Sequence, residues 1–194
     1  MNIAIIQARM QSTRLPGKVL MKINGQYLLK YMVNRVNKSS LINKVVIATS
    51  TNKQDDKIAN FCIDNNILFF RGSENDVLDR YYNAAKLFNA ETVIRLTADC
   101  PLIDPYIIDD TISLFESSKV DYAANTVPPE TKKYPDGSDV EVFSFNALNR
   151  AWSETKNKKD REHVTFYFWK RNKNFTNVTL GNKYDWGKYR ITID

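Results

Sequence analysis

Cysteine is scarce in this sequence: Cys62 and Cys100 are the only two in 194 residues, and neither belongs to a metal-spaced or redox motif. A disulfide scaffold is therefore excluded, and a reducing cytoplasm is the expected setting. No apolar run approaches the roughly 18 residues of a membrane span, and Asn2 and Arg9 interrupt the opening apolar stretch. Neither a membrane segment nor a signal peptide is expected. Two phosphate-binding patterns are missing as well. Of G-x-x-x-x-G-K-[ST] only Gly17-Lys18 is present, followed by Val19, and G-x-G-x-x-G does not occur. There is no internal repeat, low-complexity tract or convincing domain boundary, so residues 1–194 read as one domain.

What is present is ordinary in bulk, with 43% hydrophobic and 26% charged residues. The net charge of +6 is partly carried by Lys132-Lys133, by residues 156–161 and by residues 170–173, which read as solvated faces. Much of the remainder lies in the first loop. Charge thus favours a small anionic ligand over nucleic acid.

The chain opens on Ile3-Ala-Ile-Ile-Gln-Ala-Arg9-Met-Gln-Ser12-Thr-Arg14-Leu-Pro-Gly17-Lys18. Residues 3–6 read as a fully buried strand of a parallel sheet. Arg9, Arg14 and Lys18 then crowd one loop, and clustered cations need anions to compensate them. A polyphosphate supplies those anions, and Gly17 allows close approach of backbone N–H groups. The stretch reads as a triphosphate loop at the carboxyl end of a first strand, where open α/β sheets bind ligands.

Strand and helix alternate from there: helix 28–36, strand 45–49, helix 53–64, strand 67–70, helix 75–88, strand 92–97, and a helix opened by Asp104-Pro105. This rhythm predicts an α/β fold, a three-layer, doubly wound, mostly parallel sheet. It breaks after Tyr122. Residues 125–137 form a long loop, too long for a mere connector. Residues 139–143 alternate like a half-exposed strand, so 125–143 reads as a substrate-side loop and strand. Helices 145–155 and 161–171 follow, the second with Asp160 as its expected N-cap. Strands 176–180 and 189–193 are expected to close the chain.

Asp99 lies just past a buried strand at the sheet edge of the first loop, where a carboxylate can hold Mg²⁺ with phosphate oxygens. Asp194 ends a second apolar run and is a candidate partner at that metal. Ser50 is a candidate contact for base or ribose, a turn being equally compatible. Arg71 is expected to face the nucleotide, and Asp79-Arg80 reads as a helix salt-bridge site. Tyr134, Asp136, Asp139 and Glu141 put polar groups on and beside the long loop, suited to sugar hydroxyls. His163, the lone histidine, suits packing or hydrogen bonding better than catalysis. No residue stands out as a general base.

Five segments together carry a resemblance. They are Ala8-Arg9-x-x-Ser12-x-Arg14-Leu-Pro-Gly17-Lys18, Arg71-Gly-Ser-Glu-Asn-Asp-Val-Leu-Asp-Arg80, Thr97-Ala-Asp-Cys-Pro-Leu-Ile-Asp104, Tyr134-Pro-Asp-Gly-Ser-Asp-Val-Glu141 and Arg161-Glu-His-Val-Thr165. Running nearly end to end, they resemble the sugar cytidylyltransferases of 3-deoxy-manno-octulosonate and N-acylneuraminate. Within that family they are most similar to the spore-coat polysaccharide branch.

The resemblance implies a nucleotide-diphosphosugar-transferase-like (GT-A-like Rossmann) fold, CTP as co-substrate, Mg²⁺ as cofactor, a sugar or sugar acid as acceptor, and a homodimer as one assembly. It implies that Arg9, Ser12 and Lys18 hold the CTP phosphates, with Ala8, Arg14, Gly17, Ser50, Arg71 and Thr97 completing the nucleotide site. Arg9, Lys18 and Asp99 would act in catalysis; Tyr134, Asp136, Asp139, Glu141 and His163 would bind the acceptor, and Asp99 and Asp194 the metal. Two departures stand out. Thr97 replaces a cytosine-contacting glutamine of the octulosonate enzymes. The chain also stops at Asp194, where relatives continue as Asp-Thr-Pro-Glu-Asp, so it reads as shortened at its carboxyl end. Two rival functions are a glycosyltransferase of related fold, disfavoured by the lack of Asp-x-Asp after a strand, and a non-catalytic nucleotide-binding subunit.

Overall fold

The first strand, β1 (Asn2–Gln7), sits at the centre of the protein, and its side chains serve both faces of the sheet. Ala4 and Ile6 pack into one hydrophobic layer, Ile3 and Ile5 into the other, as the two-residue period of a strand requires. All four are fully buried in the computed structural model, which describes residues 1–12, 14–171 and 174–193, with only the backbone at 171.

After β1 come a short hairpin of β2 (Lys22–Ile23) and β3 (Gln26–Tyr27), then α1 (Leu28–Val36), β4 (Lys44–Ser50), α2 (Asp56–Asp64) and β5 (Leu68–Gly72). Next are α3 (Val77–Leu87), β6 (Thr92–Thr97), α4 (Pro105–Ser118), β7 (Tyr122–Ala124) and β8 (Glu141–Ser144). The chain continues through α5 (Phe145–Glu154), α6 (Lys158–His163) and β9 (Asn177–Thr179). The large sheet runs β5-β4-β1-β6-β8-β7-β9, with β5, β4, β1 and β6 mutually parallel. β8 enters antiparallel to β6, and β7 antiparallel to β8. Strand order reverses beside β1, so the carboxyl ends of β1 and β6 border a crevice.

Three layers result, as expected. Helix α1 buries Leu29, Met32, Val33 and Val36 against one face, each side chain contributing roughly 1.5–3 kcal/mol. Helices α3 and α5 bury Leu78, Tyr81, Leu148 and Ala151 against the other. Asp104 caps α4, its carboxylate accepting the Tyr106 N–H at 2.9 Å, with Pro105 in the first turn.

Four expectations need correction. Residues 139–143 do not form a half-exposed strand: β8 lies inside the sheet, and Glu141, Val142 and Phe143 are all buried. Its partner β7 escaped notice because three residues carry too little periodicity. Asp160 does not cap a helix. Asn157 does, accepting from Lys159 N–H at 3.0 Å, while Asp160 is buried and receives the Thr155 hydroxyl. Nor does a helix run through 161–171. Helix α6 ends where Val164 takes φ 57°, a strained backbone for a β-branched residue, and a single π turn (Tyr167–Arg171) follows. Lastly, residues 189–193 form no strand of the sheet. Their only ladder contact among the described residues is a bridge from Arg190 to Asp136 in the long loop.

Candidate active site

The first loop is shaped by its backbone. Ala8 N–H still donates to Ala48 O at 3.1 Å, after which the chain leaves the sheet. Asp55 then accepts Met10 N–H at 2.7 Å, and Gly17 N–H closes the loop on Met10 O at 2.8 Å. Gly17 has φ 75°, a left-handed conformation that other residues adopt at a cost. This turn delivers Lys18, almost fully buried, to the end of β6. Its ammonium donates to Ile193 O at 2.7 Å and lies 3.5 Å from Asp99 Oδ2. A cavity of about 260 Å³ opens there, lined by Ala8, Arg9, Ser12, Arg14, Lys18, Thr97 and Asp99 among others.

Two further cavities adjoin it. One, of about 710 Å³, shares Gln7, Ala8 and Arg9 with the cation cavity and extends to Glu74, Arg80 and Arg161. The other, of about 410 Å³, shares Thr97 and Asp99 with the cation cavity and extends along the long loop to Asp136 and Asp139. Arg95 and His163 line both of these larger cavities. Triphosphate-sized cationic space thus touches two chambers that also touch each other.

Electrostatics under the site are set by burial. Asp139 is raised above its usual range by desolvation, although it accepts the Thr126 hydroxyl and Gly137 N–H, each at 2.6 Å. Burial alone would lower the Arg95 guanidinium, but Glu141 beside it more than offsets this and drives it up. Glu141 accepts from Arg95, from the Tyr122 hydroxyl at 2.6 Å and from the Thr165 hydroxyl at 2.6 Å. The Arg95 Nη2 reaches on to Gln7 Oε1 at 3.2 Å. Cys100 is buried next to Asp99, and desolvation raises its thiol well above the ordinary range, so it stays protonated.

The structure brings most candidate residues together. Ala8, Arg9, Ser12, Arg14, Lys18, Thr97 and Asp99 share the cation cavity; Asp136, Asp139, Glu141 and His163 share the chamber beside the long loop. Gly17 contributes through its backbone. Three are placed elsewhere. Ser50 is fully buried with its hydroxyl on the Asp55 carboxylate, which makes it a turn residue. Arg71 spends its guanidinium on Ser50 O, Asn52 O and Asp56, tying β5 to the end of β4. Tyr134 is buried, its hydroxyl on Gly181 O at 3.2 Å.

Asp79 and Arg80 do not form the expected helix salt bridge. Asp79 accepts from Trp152 Nε1, and Arg80 turns its guanidinium to Ser73 O. Sequence reasoning passed over Arg80, Arg95 and Arg161 as ligand-facing residues. Each sits inside a regular element, and only the packing of α3, β6 and α6 puts them on one chamber. Asp194 lies outside the described residues.

The residues before it are tied to the site by backbone hydrogen bonds. Asp136 N–H donates to Tyr189 O at 3.0 Å, Ile191 N–H to Asp136 O at 2.7 Å, and Ile193 N–H to Asp99 O at 2.9 Å. Residues 189–193 therefore form a strap from the long loop to Lys18. Gly137, at φ 101°, lies under it: a Cβ there would stand 2.7 Å from Thr192 N and 2.8 Å from Ile191 C. Gly137→Ala is expected to lift the strap. Amide exchange at Ile191 and Ile193 should accelerate at least tenfold while β1, β4 and β6 amides keep their protection, a local opening rather than global unfolding. Unchanged exchange at those two amides would show that the strap does not depend on the missing Cβ.

The sequence and the fold both resemble known proteins. The cytidylyltransferase family pattern matches residues 3–189. An uncharacterised protein of Methanocaldococcus jannaschii is 39% identical over 167 residues, 86% of this chain and 66% of its own length. The spore coat polysaccharide biosynthesis protein SpsF of Bacillus subtilis is 38% identical over 170 residues, 84% of this chain and 68% of its own. The chain thus spans about two thirds of the length of these relatives. A solved cytidylyltransferase from Leptospira borgpetersenii superposes with TM-score 0.92 and 35% identity, covering 100% of this chain and 81% of the other. With the family pattern spanning nearly its whole length, this chain belongs to the cytidylyltransferase family.

Proposed function

We propose that this chain transfers the cytidylyl group of CTP to a hydroxyl of a sugar or sugar acid, releasing pyrophosphate, in the cytoplasmic synthesis of a polysaccharide. The observation that carries this reading is the meeting of Arg9, Arg14 and Lys18 with Asp99 around one cavity at the carboxyl ends of β1 and β6. Membership of the cytidylyltransferase family supports CTP as the donor, and the likeness to a spore coat polysaccharide biosynthesis protein of Bacillus subtilis supports a polysaccharide product.

The cation loop takes the β- and γ-phosphates, the chamber reaching Arg80 takes the nucleoside, and the chamber along the long loop takes the acceptor. The acceptor oxygen forms a bond to the α-phosphorus as the bond to the bridging oxygen breaks. Pyrophosphate leaves with that electron pair and carries away the hydroxyl proton. Arg9, Arg14 and Lys18 neutralise the leaving charge, and the walls hold the reactants in line.

Asp99 suits a magnesium ion. Its carboxylate borders both the cation cavity and the acceptor chamber, and Mg²⁺ commonly takes one or two carboxylates with phosphate oxygens. Among the described residues no cluster of three metal-ligating side chains occurs, so phosphate oxygens and water would fill the shell. When bound, the ion offsets negative charge on the phosphates. No helix among the described residues is long and apolar enough to cross a membrane.

Thermal stabilisation by each nucleoside triphosphate with Mg²⁺ tests the reading, because a ligand bound only to the folded state raises its melting point. At 100 times Kd the gain is about 2.7 kcal/mol. CTP is expected to stabilise most, and pyrophosphate should appear once a suitable sugar acid is added. Equal stabilisation by all four triphosphates would sink the cytidine assignment.

A further inference from the structure

Where nucleotide, leaving group and acceptor meet, one side chain is already held in position. Arg95 lines both large chambers, and its guanidinium touches Gln7, which in turn lines the nucleoside chamber and the cation cavity. We propose that Arg95 contacts the α-phosphate of CTP and holds it for attack from the acceptor chamber. The inference rests on the cytidylyltransferase reading above and adds a residue to it.

Arg95 lies on β6 opposite Ile5 of β1 and Glu141 of β8, so its backbone is fixed from both sides. The Glu141 carboxylate takes one terminal nitrogen and Gln7 the other. Each terminal nitrogen has two protons, and each of these contacts uses one. The fork is therefore aimed but not exhausted. Its Nε is buried without a partner, and the Tyr81 ring lies beneath, 5.9 Å from the guanidinium carbon. Glu141 itself is immobilised by Tyr122 and Thr165. A guanidinium set this way meets a phosphate without reorganising, which is what stabilising a developing charge requires.

Geometry also explains why this residue and not another. A triphosphate in the cation cavity with its nucleoside in the 710 Å³ chamber must pass Gln7, Ala8 and Arg9, so the α-phosphate lies beside Gln7. An acceptor in the 410 Å³ chamber approaches that point past Arg95, Thr97 or Asp99. Among the described residues, Arg95 is the one cationic side chain that lines both chambers; His163, the other residue they share, lies 4.3 Å from the Phe166 ring and stacks on it.

The test compares the parent chain with Arg95→Met/Glu141→Gln, which removes both charges together so that no buried carboxylate is stranded, and with Arg95→Lys, which keeps the charge but loses the fork. Phosphorus NMR of CTP bound with Mg²⁺ reads the contact without turnover. The α-phosphorus resonance should differ between parent and double variant, while the β and γ resonances agree. With an acceptor sugar acid, kcat should fall about a hundredfold in the double variant and about tenfold in Arg95→Lys, the CTP concentration for half-maximal thermal shift staying within threefold. An unchanged α resonance, or turnover within threefold of the parent, overturns the assignment to Arg95 and leaves the cytidylyltransferase reading standing. A parent chain that binds no CTP overturns both.

Discussion

Lys18→Ala is expected to abolish the thermal stabilisation given by CTP and Mg²⁺ and to reduce turnover by roughly 10²–10³. The ammonium is a compact point charge at the end of a stem that is 11% exposed, and Gly17 leaves the turn only one way to present it. In the free protein its charge rests between Ile193 O and Asp99. These are a neutral carbonyl and a partly exposed carboxylate, and a triphosphate outcompetes both in charge. Without the ammonium, Arg9 and Arg14 remain, but both are exposed and screened by solvent. The variant itself should melt close to the parent, because what it loses is one hydrogen bond to Ile193 O and one ion pair to a partly exposed carboxylate. Retention of parental CTP affinity would mean that the loop does not hold the phosphates. Lys18→Arg separates charge from shape: the guanidinium is a larger, planar head than the ammonium this buried side chain carries, so partial recovery of affinity without turnover is expected.

Much of this was legible in the sequence, and the reason is locality. Residues 3–6 announce a buried strand because nothing polar interrupts them, and Asp99 announces a site because it ends another such strand. Neighbouring parallel strands put their carboxyl ends at one edge, so two separate readings converged on one cavity. What could not be read were partners far apart in the chain. Ser50 and Arg71 sit at strand ends like true ligand residues, yet the Asp55 and Asp56 carboxylates at the start of α2 claim them. Alternation in residues 189–193 is real, but the strap pairs with a loop and so never becomes a strand. Asp160 matches a capping pattern that Asn157 fulfils three residues earlier, because the helix begins sooner than its apolar period suggests. The pairing of Arg95 with Glu141 depends on an antiparallel strand arriving 46 residues later, which no local pattern encodes.

That pairing carries the largest expected effect on stability. Glu141→Ala should cost about 3–5 kcal/mol, since breaking a buried ion pair strands the remaining charge. Glu141 is 5% exposed and accepts from three donors, and none has an obvious substitute. The Tyr122 hydroxyl is pushed well above its ordinary range by burial and by Glu141, so it remains a donor and cannot itself replace the lost carboxylate. Both Tyr122 and Phe143 beside it are fully buried, so collapse around the deleted side chain would disturb the layer that α5 and Phe168 share. Urea unfolding should register the loss as a lower midpoint at nearly constant slope. On heating, a domain of this size shifts by roughly 2–4 °C for each kcal/mol. Removing both charges as Arg95→Met/Glu141→Gln should cost much less than Glu141→Ala, because two neutral side chains leave no buried charge behind. A Glu141→Ala loss below about 1 kcal/mol, the scale of an exposed ion pair, would mean that water reaches Arg95 through the chambers. The guanidinium would then be solvated rather than pre-set, and the floor of the site would be softer than its hydrogen bonds imply.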